Sequence, residues 1–226
     1  MNNPDAEKSK KAAGEKAADY VRDGMILGLG TGSTVRYFIE KLASRIKAQQ
    51  LDITAIPTSA ASEKLARSLG ITLTTVGEHP QIDLDVDGAD EVDPQFNLIK
   101  GGGGAHTREK IIASASKEFI VIVDKSKMVS RLGNFPVPVE VLSFSEKYVW
   151  NEIVSLGGLP RRREGFLTDS GNIVLDCRFN VIDPEKLETD LKCIPGVVED
   201  GVFAKRRPEK VIVADGRNVK ILERVL

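Results

Sequence analysis

The chain has 226 residues, 41% of them hydrophobic and 29% charged, which is the make-up of a globular protein with room for one large domain or two. A formal charge of −1 gives no general attraction for nucleic acid or anionic membrane. Two cysteines, Cys177 and Cys193, are too few for a disulfide framework or a cysteine zinc site, and read as buried or half-buried thiols in a reducing compartment. The opening MNNPDAEKSKK is polar throughout and reads as no signal peptide, and no apolar run approaches the ~20 residues that span a bilayer. A cytoplasmic location is expected.

Residues 6–22 pattern as an amphipathic helix, with Ala13, Ala17, Ala18 and Val21 on one face and Lys8, Lys10, Lys11 and Lys16 on its solvated side. Gly24 stops it, and MILGLG begins a short buried strand. In GLGTGST (28–34) this strand meets a helix whose stripe is Val35, Phe38, Ile39, Leu42, Ala43 and Ile46. Thr31, Ser33 and Thr34 supply hydroxyls there, and the helix start supplies unpaired N–H groups at the positive end of its dipole. That is a ready phosphate site; the plainer reading is a well-capped βα turn that binds nothing. Neither nucleotide fingerprint is met, because Ser33 stands where G-x-G-x-x-G needs glycine and the turn lacks the P-loop lysine.

LDITAIPT (51–58) reads as a second strand, SAASEKLARSLG as a helix capped by Ser59 or Ser62 and ended by Gly70, and ITLTTV as a third strand. Strands alternating with helices at this spacing predict a mostly parallel, doubly wound sheet, in which ligands sit beyond the carboxyl ends of the strands. GLGTGST and the later DGAD both fall at that end and are expected to converge.

The stretch 87–110, DGADEVDPQFNLIKGGGGAHTREK, follows the apolar run IDLDV and leads into the helical EKIIASAS. Four successive glycines offer no packing and carry the largest backbone entropy cost, so they belong where backbone N–H groups must approach a ligand. Asp87 and Asp90 lie at the strand-end turn, and Lys100 and Glu109 flank the glycines. Together these supply acid–base and electrostatic chemistry for a small anionic substrate. Asp83, Asp85, Asp87 and Gly88 mimic half of a calcium loop, but Pro94 stands where the bidentate glutamate belongs and no helix precedes Asp83, so calcium binding by this route is rejected.

FIVIV (119–123) is a buried strand, and Lys127 in the DKSK after it is either a candidate second cation for the substrate phosphate or a solvated lysine with no such role. LGNFPVPVEVL reads as a linker and edge strand, SFSEKYVWNEIVSLGG as a helix, FLTDSGNIVLDCRF as a hairpin turning at Asp169–Asn172, DPEKLETDLKCI as an Asp-capped helix, and GVVEDGVF as a short strand pair. KVIVADG and VKILERVL would rejoin the first sheet. The expected division is a catalytic domain of residues 1–132 plus 204–226 and a small α+β domain of residues 133–203. Arg161–Arg163 and Lys205–Arg207 lack interleaved aromatics and read as solvated or subunit-contact surface.

GLGTGST, DGADEVD, IKGGGGA, TREKIIAS, DKSK, FPVPVEV and IPGVVEDGVF resemble, in order, the motifs of the A-type ribose-5-phosphate isomerases, from about Lys8 to the end of the chain. The resemblance implies a Rossmann-like domain carrying a ferredoxin-like α+β domain, a homodimer or homotetramer, no metal and no cofactor. It implies that Glu109 moves the proton between C1 and C2, and that Asp87 and Asp90 assist ring opening. Lys100 and the N–H groups of Gly101, Gly102 and Gly103 would stabilise the enediolate. Substrate would be held by Thr31, Gly32, Ser33 and Thr34 and by Asp87, Gly88, Ala89 and Asp90, with Lys127 and Lys10 helping at the phosphate. His106 stands where an apolar residue is expected; it is either a solvated or packed loop residue or a pocket group titrating near ~6.5. A related sugar-phosphate deaminase or lactonase, and a non-catalytic sugar-phosphate sensor, are the alternatives; the retained Glu109 argues against the sensor.

Overall fold

A computed structural model describes residues 4–224. The ends of the opening and closing segments, residues 1–3 and 225–226, lie outside it. In chain order the elements begin with α1 (Pro4–Ala17), β1 (Ile26–Leu29), α2 (Ser33–Gln49), β2 (Thr54–Pro57), α3 (Ala60–Ser68), β3 (Thr72–Leu73) and β4 (Ile82–Asp87). Then come β5 (Glu91–Val92), β6 (Leu98–Ile99), α4 (His106–Ala115), β7 (Ser116–Asp124), β8 (Val137–Val141), α5 (Glu146–Ser155) and β9 (Leu159–Arg162). Last are β10 (Ile173–Arg178), α6 (Pro184–Lys192), β11 (Val197–Asp200), β12 (Val202–Phe203), β13 (Lys210–Asp215) and β14 (Asn218–Glu223).

The chain forms two compact units: residues 1–88, 111–127 and 208–226, and residues 89–110 and 128–207. Compared with the expected bounds, residues 89–110, 128–132 and 204–207 fall in the second unit. The reason is strand pairing. β6 pairs with β5 and, from a hundred residues downstream, with β12, which holds the acidic and glycine-rich stretch in a small sheet of its own.

The first unit is built on a seven-stranded sheet of order β14-β13-β7-β4-β1-β2-β3, parallel except for the β13–β14 hairpin. Both faces are covered, which is why its strands read as apolar runs. Leu27, Leu29, Leu84, Val86, Ile120 and Ile122 point into a core shared with Phe38, Ile39 and Leu42 of α2 and with Ala13 and Ala17 of α1. The opposite pleat carries Ile56 and Ile82, packed with Ile112 from the second half of α4. Ser59 caps α3 by accepting the Ser62 N–H at 3.2 Å, as the sequence suggests. The expected third strand shrinks to Thr72–Leu73 at the sheet edge.

The second unit has a four-stranded antiparallel sheet, β11-β8-β10-β9, and the three-stranded β12-β6-β5. Val137, Val139, Val141, Leu175 and Cys177 form its core with Val149 and Ile153 of α5 and Leu191 of α6. Asp183 caps α6 by accepting the Lys186 N–H, with Pro184 in the first turn.

Three local expectations are corrected here. β8 is an interior strand, not an edge: its pairing with β11 stops at Val139, so the missing N–H of Pro138 costs no rung on that side. The turn at Asp169–Asn172 exists, but β10 pairs with β9 and β8, not with Phe166–Thr168. β11 and β12 are not a pair; they join different sheets. Of the cysteines, Cys177 is buried and Cys193 exposed.

Candidate active site

Within the first unit, the loops after β1, β2, β4 and β7 leave the carboxyl edge of neighbouring parallel strands. Asp87, the last residue of β4, is fully buried, and its Oδ1 accepts the N–H of Thr31 at 2.9 Å and of Gly88 at 2.7 Å. GLGTGST and the start of DGAD are thus bound together. Gly30 is required at this spot: a Cβ there would lie 2.1 Å from Asp87 Oδ1 and 2.5 Å from its Cα.

The Thr31 hydroxyl does not face open solvent. It sits 2.8 Å from the Thr58 hydroxyl and donates to Ser59 Oγ at 2.8 Å, and Ser62 in turn donates to the Gly30 carbonyl at 2.5 Å. Gly32 is the N-cap of α2, with φ 116°, and contributes no side-chain cap. The turn therefore lacks the Ser or Thr side-chain cap that the plainer reading supposed. Ser33 is exposed and Thr34 half-buried at the positive end of a helix of 17 residues. Lys127 is half-buried after β7 and has no ion-pair partner among the described residues. Lys10 is already engaged, with its Nζ 2.8 Å from Glu7 Oε1.

Within the second unit, Lys100 (2% exposed) and Glu109 (4%) are buried together, with Nζ 3.3 Å from Oε2. Lys100 directly follows β6; its N–H donates to the Gly201 carbonyl at 2.9 Å and its ammonium lies 5.6 Å from the centre of the Phe203 ring. Glu109 is placed by the first turns of α4, which Thr107 ties to the buried Glu140 through its hydroxyl. Glu140 also accepts from Thr168 and Asn172, both at 2.8 Å.

The glycine run divides in two. Gly101 (φ 97°) and Gly104 (φ 76°) are buried in left-handed conformations, closed by a Gly104 N–H to Gly101 carbonyl bond of 2.8 Å. Gly102 and Gly103 are exposed. Asp90, half-buried, accepts the Gly102 N–H at 2.8 Å, so that donor is occupied. Behind the run, Arg163 donates to the Gly102 carbonyl at 3.1 Å and the Gly101 carbonyl at 3.4 Å. Arg163 is therefore no surface residue, unlike the exposed Arg161 and Arg162 beside it.

His106 is neither solvated nor a near-neutral titrating group. It opens α4, fully buried, with its ring stacked where a Gly101 Cβ would be and Nε2 3.3 Å from the Glu199 carbonyl. Burial, beyond what Glu140 restores, lowers it to about 4. Next to it Lys110 holds Glu188 and Glu199 at 3.1 Å and Asp200 at 3.4 Å. Burial alone would lower Lys110, but these carboxylates outweigh it and raise it. Three carboxylates on one ammonium leave one short of charge: burial pushes Asp200 up to about 7.

Arg163, Phe203, Gly201 and the Thr58–Ser59–Ser62 hydroxyls were not singled out as site residues from sequence. Arg163 lies within an arginine triplet that has no pattern of its own. Among the described residues no group of three or more His, Cys, Asp or Glu is placed to hold a metal ion, and no helix is long and apolar enough to cross a membrane.

A doubly wound sheet with a helix start open at its carboxyl edge, and a buried lysine–glutamate pair beside a glycine run, are the marks of an α/β enzyme for small polar substrates. Comparison narrows this. The family model for ribose 5-phosphate isomerase A (phosphoriboisomerase A) matches residues 54–218. Ribose-5-phosphate isomerase A of Bacillus mycoides (strain KBAB4) is 48% identical over 209 residues, covering 90% of this chain and 94% of that protein. The solved ribose 5-phosphate isomerase A of Methanocaldococcus jannaschii superposes with a TM-score of 0.92 at 41% identity, over 95% of this chain and 97% of that one. A D-ribose-5-phosphate isomerase solved in complex with phospho-erythronic acid gives a TM-score of 0.94 at 40% identity, over 99% and 100%. The chain belongs to the ribose 5-phosphate isomerase A family, and is an isomerase.

Proposed function

We propose that this protein interconverts D-ribose 5-phosphate and D-ribulose 5-phosphate by metal-free proton transfer through an enediolate. The buried Lys100–Glu109 contact is the observation that carries the reading, because it sets a base beside a fixed positive charge and backbone donors. Proton abstraction next to a carbonyl needs such a base within about 3 Å of the carbon and donors at the oxygen where charge develops.

Asp87 and Asp90 assist opening of the sugar ring and shuttle protons among its oxygens. Glu109 then takes the proton from C2 of the open aldose, and the negative charge moves to O1. Lys100 and the N–H of the exposed Gly103 hold that charge, the Gly102 N–H being given to Asp90. Glu109 returns the proton to C1 while the O2 proton passes to O1, leaving the C2 ketone. The phosphate sits on the Thr31–Thr34 turn at the start of α2, with Lys127 and with Lys10 once it leaves Glu7. Gly88 and Ala89 contribute backbone contacts to substrate. Anchoring the phosphate away from the reacting carbons supplies binding energy and orientation.

Turnover of ribose 5-phosphate in EDTA, followed as ribulose 5-phosphate, tests this with Glu109→Gln alongside. Activity that survives EDTA and falls at least ~10²-fold in the variant fits the loss of a general base. Loss of activity to EDTA, or a variant as fast as the parent, overturns the mechanism.

A further inference from the structure

We propose that Arg163 is a positioning residue for the isomerase chemistry, aiming the backbone donors of the glycine run; this rests on the proposed reading of that run as the oxyanion site. A trans peptide holds its C=O and the next N–H in opposite directions, so fixing a carbonyl fixes the N–H that follows. The Arg163 guanidinium takes the Gly101 carbonyl at 3.4 Å from both Nη atoms and the Gly102 carbonyl at 3.1 Å from Nη1. The N–H groups of Gly102 and Gly103 must then face away from it. For Gly102 this is directly visible, since its N–H meets Asp90 at 2.8 Å. Gly103 is exposed, and because the Gly102 carbonyl is held at 3.1 Å the same peptide geometry turns the Gly103 N–H away from the guanidinium.

Arg163 is itself well held. Asp176 accepts from Nε at 3.0 Å and Nη2 at 2.6 Å, and the Phe166 ring lies 5.1 Å from its guanidinium carbon. Phe166 also packs so tightly on Gly104 that a Cβ there would come within 2.3 Å of it. Two glycines with no side chain to restrain them would otherwise sample many peptide orientations. The planar five-donor fork of arginine can grip two carbonyls and a carboxylate at once, which lysine cannot do.

The test is steady-state kinetics of Arg163→Ala and Arg163→Lys beside the parent and Glu109→Gln, with guanidinium ion added at ~20 mM. Misaiming one oxyanion donor typically costs ~10²–10³ in kcat, and that fall is expected in Arg163→Ala with KM changed less than about threefold. Arg163→Lys should remain impaired by at least ~10-fold. Added guanidinium should restore part of the Arg163→Ala rate while leaving Glu109→Gln unchanged. Phospho-erythronic acid, whose carboxylate can occupy the oxyanion position, should bind Arg163→Ala more weakly, whereas inorganic phosphate should not. A kcat within threefold of the parent overturns the proposal, and so does a rate loss that guanidinium deepens, which marks a merely destabilised fold. A parent with no turnover of ribose 5-phosphate instead defeats the proposed function on which the inference rests.

Discussion

Burial of His106 carries a pH signature that can be worked out in advance. Its imidazole titrates near ~6.5 when unfolded and about 4 in place. As pH falls through that window, the unfolded chain binds a proton that the native chain cannot, so the contribution is fully present above ~6.5 and is lost toward 4. The full span is roughly 3.4 kcal/mol, and at pH 5 about 2 kcal/mol of it is already gone. Asp200 acts in the opposite sense: raised to about 7, it contributes stability at low pH that is lost as pH rises to that value. The parent's pH–stability curve is therefore a poor probe, since two slopes oppose each other across pH 4–6.5. The difference between parent and His106→Leu removes Asp200 and isolates the histidine. Urea unfolding at pH 5 and pH 8 should show the variant gaining about 2 kcal/mol on the parent at the lower pH, about 1 M in midpoint for an m-value near 2 kcal/mol/M. The pH dependence of kcat/KM should keep its shape, because the ring is buried behind Gly101. Parallel stability curves, or a shifted rate profile, would falsify this account of His106.

Two further substitutions test the site's framework. Gly101→Ala should destabilise by ~2–6 kcal/mol, combining ~1–3 for a side chain at φ 97° with ~1–3 for contacts of 2.7–2.9 Å against His106. Thermal or urea unfolding checks it, and in a His106→Ala background part of the cost should disappear; strict additivity would mean that the Cβ does not meet the ring. Lys127→Ala should lower kcat/KM ~10–100-fold, mainly through KM, as expected for a charged partner of the substrate phosphate. A loss confined to kcat would place Lys127 at the chemistry instead.

The first unit was legible because its physics is local. Parallel strands covered on both faces read as apolar runs, and Ser59 caps its helix through a neighbour three residues away. The second unit depends on distant partners. Nothing around Leu98–Ile99 announces pairing with Val202–Phe203, so sequence alone assigns the acidic and glycine-rich stretch to the domain of the large sheet. β8 looked like an edge because proline is scarce inside sheets, yet one pairing that ends a residue early admits Pro138.

The glycine run shows the same limit within four residues. In sequence its members are interchangeable, and all of them suggest a ligand. In the structure Gly101 and Gly104 answer to packing, one against His106 and the other against Phe166, and both need a left-handed backbone. Only Gly102 and Gly103 are exposed, and their peptide directions depend on an arginine about 61 residues downstream. Substituting the two buried glycines should therefore cost stability before chemistry. Removing Arg163 should cost chemistry before stability, since its bonds to the run hold peptide direction and bury no core. The order in which rate and unfolding midpoint fall is what separates the residues that build this loop from the one that aims it.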